Sequence, residues 1–162
     1  MAPQLHVREA APEDAEAIHA LAGELAGAVG DSAPTLEAVR ARLSELLEAQ
    51  QAGVLVAEDD GGAVVGVVSF WIKPDLAHGD TVVEVPTLVV AEGSRRTGVG
   101  KLLMEEIQHL AAENDAGLIE LVATRDNAAA RDFYDSLGFI ETDHVSLEFV
   151  GDMEDPPDPE ES

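Results

Sequence analysis

Three of the nine basic side chains in this 162-residue chain fall within seven consecutive positions, Arg95-Arg96-Thr97-Gly98-Val99-Gly100-Lys101. Glycines let the main chain approach a ligand closely, and the residues that follow have helical spacing. The turn therefore stands at a helix N-terminus, where unpaired N–H groups and the positive end of the helix dipole favour an anion. The remainder of the chain sharpens the contrast, with 33 acidic side chains and a formal net charge of -24. So negative a surface repels nucleic acid phosphates and anionic lipid headgroups, and neither is an expected partner. Clustered positive charge in such a chain answers to a small anion; without one, the same residues are a tight turn with arginines for solubility. Two phosphate-binding loops fail the spacing. A P-loop needs glycine where Arg95 stands and Ser or Thr where Leu102 stands. A dinucleotide fingerprint beginning at Gly98 needs a third glycine where Leu103 stands.

Other chemistries are excluded by composition. There is no cysteine, hence no disulfide, thiolate metal site or cysteine nucleophile. His6, His19, His109 and His144 show no metal-ligand spacing, and Glu106 with His109 makes a single Glu-x-x-His, so no metal is expected. No apolar run approaches ~18 residues, and the first residues lack the order of a secretion signal, so a cytoplasmic protein is the expectation. Residues 151–162 (GDMEDPPDPEES) combine six acids with three prolines and no base. They read as an acidic disordered tail behind a single domain at 1–150.

The turn needs a strand before it and a helix after it. Thr81 to Ala91 reads as the strand; Pro86 inside it cannot donate to a ladder, so a bulge or unpaired edge is expected there. From Gly98 to about Asn114, Leu102, Leu103, Ile107 and Leu110 recur at helical spacing. Upstream, Gln4 to Glu9 alternates as a strand. Ile18, Leu21, Leu25 and Val29 mark a helix ending at Gly30, and Leu36, Val39, Leu43, Leu46 and Leu47 a second one stopping before Gly53. Val54-Leu55-Val56-Ala57 and Ala63 to Trp71 flank a hairpin turn at Asp59-Asp60-Gly61-Gly62. Lys73 to Asp80 reads as a loop. Downstream come a strand at Leu118 to Val122, a helix from Ala128 to Leu137 ended by Gly138, and a last strand from Phe139 to Val150, bent near Asp143. The order β-α-α-β-β-β-α-β-α-β is mixed α/β.

The pattern [Gln/Arg]-x-x-Gly-x-[Gly/Ala], filled by Arg95 to Gly100, resembles the pyrophosphate-binding motif of the GNAT superfamily, the GCN5-related N-acetyltransferases. Val83-Glu84-Val85 and Leu88-Val89-Val90 precede it at the family's spacing. Asn127-Ala128-Ala129-Ala130-Arg131-Asp132-Phe133-Tyr134-Asp135-Ser136-Leu137-Gly138-Phe139 is similar to the family's Asn-x-x-Ala-x-x-Phe-Tyr-x-x-x-Gly-Phe segment. The resemblance covers roughly residues 3 to 150, and residues 81 to 139 carry nearly all its specificity. It implies a mixed, mostly antiparallel sheet with helices on both faces. It also implies transfer of an acetyl group from acetyl-CoA to a primary amine of a small molecule or peptide.

Each need of that reaction finds residues by resemblance. The pyrophosphate would be held by main-chain N–H groups from Arg96 through Thr97, Gly98, Val99 and Gly100 to Lys101, with charge from Arg95 and Arg96. The pantetheine arm would lie along Leu88, Val89 and Val90, with the N–H of Val89 or a neighbour as oxyanion donor. Asn127 matches a pantetheine contact and is equally a helix N-cap. Tyr134, the sole tyrosine, matches the general acid for the leaving thiolate. Glu84 matches the general base, often acting through water, and His78 in the preceding loop is its rival. With no cysteine to carry an acetyl group, the amine would attack directly in a ternary complex.

An acidic cleft would favour a cationic acceptor or a basic peptide docked on the outward acids of residues 12–51 (Glu16, Glu24, Glu45, Glu48), although a solvated helix face accounts for these acids more plainly. An anionic acceptor such as an aminoalkylphosphonate, suggested by His78-Gly79-Asp80 ahead of Glu84, would need cations that only Arg125 and Arg131 are left to supply. A domain of the same fold that binds acyl-CoA without turnover is the alternative, and family precedent suggests a homodimer. Acid excess with only two lysines, Lys73 and Lys101, also fits a protein working in concentrated salt, which screens self-repulsion. The melting temperature should accordingly rise between low and molar KCl; a flat profile would refute salt adaptation.

Overall fold

A computed structural model describes residues 4–149 and Gly151. The chain divides between Thr124 and Arg125 into two compact units. The first contains β1 (His6–Glu9), α1 (Ala15–Val29), α2 (Leu36–Glu48), β2 (Ala52–Glu58), β3 (Val64–Asp75), β4 (Asp80–Val90), α3 (Val99–Glu113) and β5 (Leu118–Glu120). Its sheet has the order β1-β2-β3-β4-β5, antiparallel through β4 and parallel between β4 and β5.

Local chemistry explains the ends of these elements. At the β2–β3 turn, Asp59 Oδ1 accepts the N–H groups of Gly61 (3.0 Å) and Ala63 (2.9 Å), a side-chain mimic of a backbone turn. Thr35 Oγ1 caps α2 by accepting from Ala38 N–H at 3.1 Å. The α1 helix ends at Gly30 in the left-handed region, with Asp31 N–H bonded to the Ala26 carbonyl at 2.9 Å. Before α1, the buried Asp14 carboxylate accepts the Ala11 N–H at 2.7 Å and a bidentate pair from Arg8 at 2.8 and 2.9 Å. This ties β1 to the start of the first helix.

The sheet buries apolar side chains on both faces. On one, Val54, Val56, Val67 and Val89 pack with Leu21 of α1 and Leu43 of α2. On the other lies α3, with Val99, Leu103, Met104 and Ile107 all but fully buried. Gly66 permits that approach: a Cβ there would lie 2.6 Å from Val99 Cγ1. The first turn of α3 is thereby pressed onto β3.

Two stretches differ from expectation. Of the expected loop from Lys73 to Asp80 only Leu76 to Gly79 is turn, because Lys73, Pro74 and Asp75 pair with Val82, Thr81 and Asp80. Proline is tolerated because Ile72 N–H donates to the Gln51 carbonyl (2.6 Å). Pro74, two residues on, turns its missing donor to that same side, beyond the end of β2. In the second unit α4 (Ala128–Ser136) is the one regular element among the described residues. Residues 139–149, expected as a strand, form no ladder, since among the described residues of that unit there is no second strand to pair with; Val150 lies outside the described residues, as does the expected tail apart from Gly151. The α4 helix ends in a paired motif, Phe139 N–H to the Tyr134 carbonyl and Gly138 N–H to that of Asp135, both at 3.0 Å.

Asp14 should contribute measurably to the stability of the first unit. Hydrogen bonds from Arg8 outweigh burial and hold its carboxyl below the usual aspartate value. A depressed carboxyl stabilises the fold above its unfolded pKa and loses that contribution as pH falls through the folded value. Asp14→Ala should cost about 2–4 kcal/mol at pH 7. The gap to wild type should shrink below about pH 4 in urea titrations.

Candidate active site

The β4 strand changes its pairing midway. Ser69 pairs with Thr87 and Trp71 with Glu84, so Val85 and Pro86 together face Phe70: a bulge at the proline. On its other side β4 pairs with β5 through Val82, Val83 and Glu84, and that ladder stops at Glu84↔Glu120. Ala91 N–H donates to the Val65 carbonyl at 2.8 Å, and Val89 pairs with Val67. Alternation along an antiparallel ladder then directs the Val89 N–H into β3, and the N–H and C=O groups of Leu88 and Val90 to the opposite side. Of the three expected contact residues, the outer two therefore carry the open donors. Arg95 Nε reaches back to the Val90 carbonyl at 3.5 Å.

The chain then turns sharply. Arg96 (φ 64°) and Gly98 (φ 90°) are both left-handed, and Thr97 Oγ1 donates to the Ser94 carbonyl. Leu102 N–H makes the first intrahelical bond, to the Gly98 carbonyl at 3.0 Å, so the N–H groups of Val99, Gly100 and Lys101 have no acceptor within α3. Arg95, Arg96, Thr97, Gly98 and Lys101 are exposed, while Val99 and Gly100 are buried against the sheet. An exposed, cationic helix N-terminus thus follows directly on an open strand edge. Main-chain donors along that path suit an elongated ligand with amide groups and a diphosphate, which is the chemistry of coenzyme A.

Glu84 is half-buried on the sheet face shared with Trp71, its ladder partner, and its carboxylate is ion-paired with Lys73 Nζ. His78 stands in the β3–β4 turn, its Nδ1 2.8 Å from Asp75 Oδ2; that hydrogen bond, then the charge of Asp75, raises the imidazole pKa and keeps the ring cationic to higher pH. In the second unit, Tyr134 packs edge-on against Phe133 (5.2 Å between centroids) and Phe139 (5.6 Å). Burial pushes its phenol above the usual tyrosine pKa, so it stays protonated at neutral pH. Asn127 Oδ1 caps α4 by accepting from Ala130 N–H at 3.1 Å, which leaves its amide NH2 to donate elsewhere. Arg131 is spent on Glu141 (2.6 and 2.9 Å) and the Arg125 carbonyl (2.8 Å), which argues against its serving an anionic acceptor.

Two residues gain meaning from the structure. Glu24, which the sequence suggests is solvated, accepts the Glu92 N–H at 3.2 Å and braces the approach to the cationic turn; a contact across 68 positions leaves no local signal. Lys73 is the other, and the hairpin register that brings it to Glu84 passes through a stretch that reads as loop. Among the described residues no group of three or more His, Asp or Glu side chains is placed to hold a metal, and no helix is long and apolar enough to cross a membrane.

The model of the acetyltransferase (GNAT) family matches residues 16–139, and the chain belongs to that family. It is 32% identical over 104 residues to an N-terminal acetyltransferase complex ARD1 subunit homolog of Dictyostelium discoideum, a match spanning 62% of this chain and about half (48%) of that protein. Among solved structures, a transcriptional regulator from Bacillus halodurans superposes with a TM-score of 0.80 at 23% identity, over 91% of this chain and 100% of the other. An aminoglycoside N-acetyltransferase in complex with CoA does so at 0.79 and 21%, over 93% and 97%. These structural likenesses carry the fold: the mixed, mostly antiparallel sheet with helices on both faces.

Gly98 should resist substitution. A side chain in the left-handed region costs about 1–2 kcal/mol, so Gly98→Ala should lower thermal stability by that amount, measured by calorimetric unfolding.

Proposed function

We propose that residues 1–150 form an N-acetyltransferase domain that moves an acetyl group from acetyl-CoA directly to a primary amine of a small molecule or peptide. The observation that carries this reading is the run from the open edge at Leu88 and Val90 into the exposed N-terminus of α3. Acetyl-CoA, when bound, supplies an activated acyl thioester. Leu88 and Val90 pair with amide groups of the pantetheine arm, and an outward N–H of this edge polarises the thioester carbonyl. The family resemblance assigns Asn127 to the same arm, and its amide NH2 is not used by the cap of α4. Main-chain N–H groups from Arg96 to Lys101 and the Arg95 and Arg96 guanidiniums hold the diphosphate.

Proton transfer falls to two side chains. An ammonium has no lone pair, so the acceptor must lose a proton before attack, and Glu84 takes it, directly or through water. Tyr134 returns a proton to the departing thiolate; a phenol kept neutral by burial suits that task. His78, held towards its cationic form by Asp75, suits the base less well. The overall acidity favours cationic acceptors.

Release of free thiol from acetyl-CoA across a panel of primary amines tests the activity. Saturable CoA binding with no thiol release for any amine would instead support a non-catalytic acyl-CoA-binding module. Tyr134→Phe should lower kcat about 100-fold with CoA affinity unchanged, and Glu84→Gln should lower kcat by a similar factor; unchanged turnover in either removes that residue from its role.

A further inference from the structure

Glu84 already holds a cation. Lys73 lies two residues after Trp71 on β3 and so shares its face; Trp71 is the ladder partner of Glu84, and Lys73 Nζ closes an ion pair with Glu84 Oε2. Both side chains remain open to water, 50% exposed for Lys73 and 37% for Glu84. A primary ammonium is therefore seated on the carboxylate assigned to receive the acceptor's ammonium.

We infer that Lys73 is a specificity-determining residue: its ammonium occupies Glu84 until a cationic acceptor displaces it. The inference rests on the reading of Glu84 as the acceptor base. An exposed pair of this kind is weak and salt-screened, so a soluble alkylammonium can replace the tethered one, at the cost of some apparent affinity. An acceptor must therefore bring more than its charge, and Trp71 beside Glu84, 38% exposed, offers an apolar and cation-attracting ring for its alkyl portion. Neutral molecules, which do not compete for the carboxylate, escape this selection. A purely structural role for Lys73, as a tie across the hairpin, makes the opposite prediction: its loss would loosen the hairpin without improving binding.

Trp71 is the chain's sole tryptophan, so its fluorescence reports on this site. The probe is n-butylammonium chloride, titrated into the full chain at constant ionic strength, with 1-butanol as the uncharged control. Lys73→Met should lower the Kd for butylammonium about two- to fivefold; Lys73→Arg should keep the wild-type value, and the response to butanol should be the same in all three. An unchanged or higher Kd in Lys73→Met, or no saturable response to butylammonium in any form, overturns the proposal. Thiol release by Glu84→Gln separates the two readings. Full turnover in that variant sinks the base assignment, whereas unchanged affinity in Lys73→Met beside a turnover loss in Glu84→Gln sinks the Lys73 proposal alone.

Discussion

Every main-chain N–H and C=O removed from water needs a partner, and β4 meets that demand in two ways along its length. From Val82 to Glu84 it is flanked by β3 and β5; beyond the bulge at Val85 and Pro86 it is bonded on the β3 side, while Leu88 and Val90 point the other way. The bulge makes the change abrupt: it lets β3 follow β4 through both halves while the β5 ladder ends at Glu84. An edge strand inside a folded domain is a liability unless something completes it. An extended ligand with its own amides is a natural complement.

Electrostatics divides the molecule along the same line. A chain of net charge -24 has few cations to spend, yet it places Arg95, Arg96 and Lys101 around one helix N-terminus, where the backbone adds its own positive potential. On the sheet face carrying Glu84 the sign reverses, and the nearby cation is Lys73. Under the proposed reaction, an anionic donor and a cationic acceptor would be sorted to different parts of one strand. Neither preference depends on a buried charge, so both should be sensitive to salt.

Much of this was legible in the residues themselves. The glycine turn, the proline bulge, the Asp59 hairpin and the cap at Asn127 are local devices whose chemistry is written within four or five positions. What escaped was set by partners distant in sequence. Lys73 and Pro74 look like loop until Val82 and Thr81 are laid beside them. Val89 and Leu88 look equally able to donate until the register with Val67 decides which N–H is already used. Glu24 reads as a solvated helix acid until Glu92 meets it. The stretch 139–149 alternates well enough for a strand, but a strand also requires a ladder partner. On the acceptor side the family resemblance points to Glu84, but its pairing with Lys73 and Trp71 is set by the strand register and has no local signal.

Residue-resolved amide exchange on the full chain, with and without coenzyme A, is the most direct test of the central claim. Binding along the open edge should slow exchange at Leu88, Val90 and the amides from Arg96 to Lys101, while Val89, already bonded to β3, changes little. Exchange at Leu88 and Val90 left unaltered by saturating coenzyme A would contradict the account.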